Sequence, residues 1–184
     1  MRALRARYRK IDKIAIDLVE QYDQFSAPID IFMLAKCLDL EIRISDLGTL
    51  SMVMRRQAIV VVVVVNRAES ILRQRFAVAH ALGHVMLHPE IIEHADQRFM
   101  ILGRNLELAP EKNIQEKEAN YFASVVLIPE RTLHRELELC PRDDFGEIDV
   151  CSLADKFCVS RNLMLVRLCG MENHLNVVSI FIPK

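Results

Sequence analysis

Residues 75–90 read Arg-Phe-Ala-Val-Ala-His-Ala-Leu-Gly-His-Val-Met-Leu-His-Pro-Glu, and this stretch decides the fold. His80 and His84 are four apart, so their imidazoles share one face, one turn apart. Upstream, Asn66-Arg-Ala-Glu69 has capping-box spacing and predicts a helix start with Asn66 as N-cap. Pro89 predicts its end.

Working outward, Ala58–Val65 is almost pure valine and predicts a central strand covered on both faces. Shorter strands are expected at Glu41–Ser45 and Ser51–Arg55, separated by a turn at Gly48. Apolar spacing at Ile11, Ile14, Leu18 and Tyr22 predicts a helix over 10–24, and Ser26-Ala-Pro28 opens another that runs to about Leu38. On the other side, Pro110 and Pro129 each open a helix. Residues 140–149 read as a polar loop, two short helices split near Val159-Ser160, and Leu175–Ile182 as a last strand.

The expected class is α+β: a helical majority with a small mixed or antiparallel sheet packed on the histidine helix. Three segments follow: an N-terminal basic helix (1–25), a central domain (26–139), and a C-terminal helical segment of helix-turn-helix rhythm (140–184) packed on it.

Two helix-borne imidazoles one turn apart can share a metal ion, and neutral imidazole suits zinc. Alone, the spacing is equally that of two ordinary helix histidines. A third protein ligand should come from another helix. Glu116 and Asn120, also four apart, share a face. Glu116 can ligate, and Asn120 can reach the other ring nitrogen of a ligand histidine. Glu118 lies about 160° round the helix from Asn120 and is the weaker candidate. His88 is about 80° round from His80 and reads as a structural or rim residue. His94, His134 and His174 have no ligand-like sequence neighbours and read as surface residues.

Arg-Phe-x-x-Ala-His-x-Leu-Gly-His-x-x-Leu-His, followed by Glu-x-Glu-Ala-Asn-x-Phe-Ala-x-x-x-Leu-x-Pro, resembles the ImmA/IrrE family of zinc metallopeptidases. The upstream Pro28-Ile-Asp-Ile, the valine strand, and the downstream Leu153-Ala-x-x-Phe-x-Val-Ser160 with Arg167-Leu fit the same pattern. The resemblance implies a gluzincin-like peptidase core with one Zn2+ per chain, held by His80, His84 and Glu116. It implies a helix-turn-helix repressor as substrate, cleaved to induce stress or mobile-element genes.

One position departs. Ala81 follows His80 where the family carries the Glu that acts as general base. Positioned acid–base help is worth about 10²–10⁴-fold, so the chain is expected to be nearly or wholly inactive. Three readings stay open. Ala81 is a base knock-out of an active enzyme; or the chain is a natural pseudopeptidase that regulates a repressor or toxin by binding; or another carboxylate substitutes. Glu118 and Glu90 are nearest in sequence, on the wrong helix face. Tyr121 and Arg98 are further candidates, for an oxyanion or substrate contact, although a packed ring and a surface ion pair are the plainer readings.

Five cysteines, an odd number without CxxC spacing, argue against a disulfide framework and for small buried hydrophobes in a reducing compartment. The basic start is followed by Asp12, Asp17, Glu20 and Asp23, which excludes a signal-peptide apolar region. The valine run is far shorter than the roughly 20 residues that span a bilayer. A cytoplasmic protein is expected. The net charge of −1 hides polarity: residues 90–149 carry 7 basic and 14 acidic groups. Such a chain is not expected to bind DNA directly. Its acidic block favours a cation and a basic partner. The oligomeric state is left open.

Overall fold

A computed structural model describes residues 6–57, 59–97, 110–140, 148–171 and 180–181. In chain order the elements are α1 (Tyr8–Gln21), α2 (Ile31–Cys37), β1 (Leu40–Ser45), β2 (Leu50–Gln57), β3 (Val60–Asn66), α3 (Ile71–Leu87), β4 (Glu93–Gln97), α4 (Pro110–Leu127), α5 (Glu130–Leu139), β5 (Ile148–Asp149), α6 (Val150–Phe157), α7 (Arg161–Met171) and β6 (Ile180–Phe181). The class is α+β, as the sequence predicts.

Branched valines favour the pleated backbone, and the valine strand does sit inside the sheet, whose order is β1-β3-β2-β4. It pairs parallel with β1 and antiparallel with β2, and β2 pairs antiparallel with β4, so the sheet is mixed. Directly opposed residues share a face. One such row runs Ile42, Val63, Met54, His94, and the next runs Ile44, Val65, Met52, Asp96. Met52, Met54, Val63 and Val65 are fully buried, and β2 and β3 pack on α3. Val64, on the opposite face, is only partly covered, so cover on both faces is not complete.

α3 is the centre of the molecule, in contact with α2, α4, β2 and β3. From Arg75 to His84 every residue is buried. Its N-cap is Ser70, whose hydroxyl accepts from Arg73 N–H, and not Asn66. Asn66 ends β3 instead. Its side-chain amide donates to the carbonyls of Gly48 and Leu50, and its oxygen accepts from Ala68 N–H. An Asx side chain can close a turn as readily as cap a helix, and here the turn wins.

α3 and α4 approach closely at Gly83. A Cβ there would lie 3.0 Å from Ala119 Cα and 3.2 Å from the Phe122 ring. The missing side chain is what lets the two helices touch. α1 packs on the same α4, burying Ile11, Ala15, Leu18 and Val19 in one core that also contains Phe157 and Leu163. Two buried arginines fasten this core. Arg75 donates to the carbonyls of Ile29 and Cys158, and Arg167 donates to that of Ile128.

In the C-terminal segment, Asp149 accepts from the N–H groups of Cys151 and Ser152 and caps α6; the left-handed Cys158 ends it. α7 follows at once, with Ser160 accepting from Leu163 N–H. The strand expected at Leu175–Ile182 is seen only as β6, paired parallel with β5; the rest lies outside the described residues. The cysteines are not the expected buried hydrophobes. Cys37, Cys151 and Cys169 are exposed and Cys140 and Cys158 partly so. No helix among the described residues is long and apolar enough to cross a membrane.

Candidate metal centre

The i, i+4 spacing on α3 brings the Nε2 atoms of His80 and His84 to 2.9 Å from each other. Both side chains are fully buried. The α3–α4 contact at Gly83 sets Glu116 opposite them. Its two carboxylate oxygens lie 3.5 Å from His80 Nε2 and 3.5 Å from His84 Nε2 respectively. Donors around a tetrahedral ion with bonds of about 2.0–2.1 Å are roughly 3.3–3.4 Å apart. The observed spacings bracket that value.

Asn120, one turn after Glu116, holds the other side of His80. Its Oδ1 lies 2.9 Å from Nδ1, which donates to it. A proton fixed on Nδ1 leaves Nε2 as the lone-pair nitrogen, the form a metal needs.

β4 supplies what the sequence reading missed. His94 is not a surface residue. The two-residue period of the strand points His94 and Asp96 to the sheet face that covers α3. The His94 ring centroid is 4.2 Å from that of His84, and its Nε2 is 3.6 Å from Glu116 Oε1. One donor atom from each of His80, His84, His94 and Glu116 falls within 4.8 Å of the others. Asp96 stands beside the four, 3.1 Å from His80 Nε2 and 3.2 Å from His94 Nε2. The signal was the His-x-Asp alternation in Glu93–Gln97, which puts both residues on one face.

Burial and charge oppose one another here. Burial works against an imidazolium at His80, but hydrogen bonding and attraction from Glu116, with Asp96 adding to it, outweigh that and raise its pKa. Burial pushes His84 down to about 4, helped by its histidine neighbours. Burial also disfavours the Glu116 carboxylate, yet its bonds to both imidazoles hold its pKa well below the ordinary value. A charged carboxylate facing a neutral His84 is a donor set that can hold a metal ion.

The sequence profile described as Peptidase M78, IrrE N-terminal-like domain, matches residues 35–169. The chain belongs to this family. The M78 match spans every residue of the cluster and leaves α1 outside it. Among solved structures, a Mycobacterium tuberculosis transcriptional regulator is similar in fold, with a TM-score of 0.59 at 19% identity. The alignment covers 87% of this chain and 46% of that one, so the chain spans about half the length of the regulator. No curated protein gives a significant match.

The remaining candidates of this M78 chain fall elsewhere. Ala81 is fully buried on α3, next to His80. Tyr121 is turned toward α1: its hydroxyl donates to Asp12, and its ring meets Tyr8 edge-on. Burial and that hydrogen bond raise its pKa to about 12. An oxyanion donor would have to be free of such a bond. Arg98 lies outside the described residues. Glu118 is buried and takes the Arg7 guanidinium through Nε at 3.0 Å and Nη2 at 2.6 Å, with His88 Nε2 3.6 Å away. His88 is therefore a buried structural residue, and Arg7 is part of the fold's ionic lining. Glu90, at the exposed surface, accepts from Gln115.

Proposed function

We propose that this M78 domain is a zinc-binding peptidase homologue disarmed at residue 81, whose partner is a helix-turn-helix repressor. The observation that carries the reading is Ala81, a methyl group on the turn between His80 and His84. Zinc, when bound, supplies a Lewis acid for a peptide carbonyl and a water of lowered pKa. His80, His84 and Glu116 would hold it, with Asn120 fixing the His80 ring. The proton of an attacking water then needs a carboxylate to take it and return it to the leaving amine. Ala81 offers none. Glu118 cannot stand in, because Arg7 and His88 engage it. Glu90 points to solvent and Gln115.

The repressor as partner is supported by three things: the motif resemblance, the likeness to a transcriptional regulator, and the acidic block 90–149, which suits a DNA-binding protein's basic surface. Against direct DNA reading by this chain stands α7, whose Arg167 is buried and bonded to Ile128. A reading helix needs such groups exposed on one face. A pseudopeptidase that regulates a repressor or toxin by occupancy is the second reading, and Ala81 favours it as well.

The test is to incubate the zinc-loaded chain with the repressor-like protein encoded beside its gene. Binding without peptide-bond cleavage is expected. Cleavage by the unaltered chain overturns the disarmed reading, and absence of binding overturns the partner.

A further inference from the structure

We infer that His94 takes the fourth place on the metal, so that the centre is closed by protein rather than open to water; this rests on the zinc-binding reading above. Catalytic zinc sites keep one position for water or substrate, whereas structural sites are filled by four protein ligands. Here a fourth donor is already in place. His94 Nε2 is buried and lacks a hydrogen bond, even with Asp96 at 3.2 Å. A buried, unbonded ring nitrogen costs free energy unless something takes its lone pair. His94 Nε2 faces Glu116 Oε1 at 3.6 Å, close to the spacing that the other donors show.

The backbone holds this position from a third direction. His80 and His84 come from α3 and Glu116 from α4, while His94 comes from β4, where it stands in register with Met54. Donors from three elements converge on one point, within 4.8 Å of one another, and a shift of side chains would draw them to the roughly 3.3–3.4 Å spacing of a tetrahedral ion. Asp96 is the rival for the fourth place. However, the set whose donor atoms all lie within 4.8 Å of one another contains His94 and not Asp96. Two features of the sequence then act in the same sense: Ala81 removes the proton carrier, and His94 fills the place its water would occupy. The ion becomes a clamp between the edge strand and the two central helices.

Cobalt(II) is the probe, because its visible spectrum reports coordination and responds to an added ligand such as azide. The unaltered chain is expected to take one cobalt with a tetrahedral spectrum that azide leaves unchanged. His94→Ala, and the milder His94→Asn, should weaken cobalt binding about 10-fold or more, since even outer partners of a metal contribute 10–100-fold. Their spectra should shift with azide, while Asp96→Asn should behave as the parent does. If azide shifts the parent's spectrum and His94→Ala binds as tightly, the inference is overturned while the three-ligand centre stands. An azide response that appears only in Asp96→Asn overturns it too. If the parent takes no cobalt at all, the zinc-binding reading itself has failed.

Discussion

Replacing Gly83 with alanine tests how the fold builds the centre. The new methyl carbon would sit 3.0 Å from Ala119 Cα and 3.1 Å from its carbonyl oxygen. Carbon pairs rest at about 3.5–4.0 Å, so α3 and α4 must part by roughly 0.5–1 Å. Both near atoms are backbone, so no side chain can swing away. Overpacking of this kind costs about 1–3 kcal/mol, offset by up to ~1 kcal/mol from alanine's better helix propensity. The net stability change is therefore small to moderate, on the order of 0–3 kcal/mol.

The effect on the metal is larger. Glu116 is one turn from Ala119 and moves with it, while its oxygens sit only 3.5 Å from the two imidazoles. A displacement of roughly 0.5–1 Å is large against a metal–oxygen bond of about 2.0–2.2 Å. Zinc affinity, measured by competition with a chromophoric chelator, should fall at least about 10-fold, with thermal unfolding recorded in parallel. Unchanged zinc affinity in a folded Gly83→Ala chain would refute the claim that this helix contact places Glu116.

Other outcomes follow from the same geometry. Arg7→Ala removes two guanidinium bonds from the buried Glu118 and leaves it the residue 7 backbone N–H, with His88 Nε2 3.6 Å away. Because Arg7 is itself half exposed, the loss should be modest, about 1–2 kcal/mol by urea denaturation, and smaller when Glu118→Gln is combined with it. Burial opposes the Glu118 charge, but Arg7 outweighs it and depresses the pKa below 4.5. The gap between parent and Arg7→Ala should thus be full above about pH 4.5 and shrink as pH falls below it. At the alkaline end, Tyr121 holds its proton up to about 12, against 10 for a free tyrosine. Its contribution is present below pH 10 and lost as pH rises from 10 toward 12. Tyr121→Phe should lack that alkaline slope in denaturation midpoints; an identical slope sinks the Tyr121–Asp12 assignment.

The parts legible in the sequence were those with a strong local period. The valine run gave β3, where pattern and burial agree, and the start and stop signals at Asn66 and Pro89 gave α3. The i, i+4 pairs on two helices were also readable, since helical spacing fixes which side chains share a face. Tertiary competition decided the rest. Asn66 and Ser70 are both good caps, and only the turn geometry chooses between them. His94 and Asp96 have no partners nearby in sequence, and a five-residue edge strand carries little periodic signal. Their place over α3 follows from sheet register, which connects residues far apart in the chain. Tyr121 was drawn away by Asp12 on α1, a contact between helices that spacing along α4 cannot show.

The cluster on α3, α4 and β4 is read as one metal ion held by His80, His84 and Glu116, with His94 beside them. Native mass spectrometry after chelator stripping and reloading with equimolar zinc tests it most directly. One zinc per chain is expected for the parent and none for His84→Ala or Glu116→Ala at the same zinc concentration. A parent that takes up no zinc, or a His84→Ala chain that keeps it as tightly, contradicts the account.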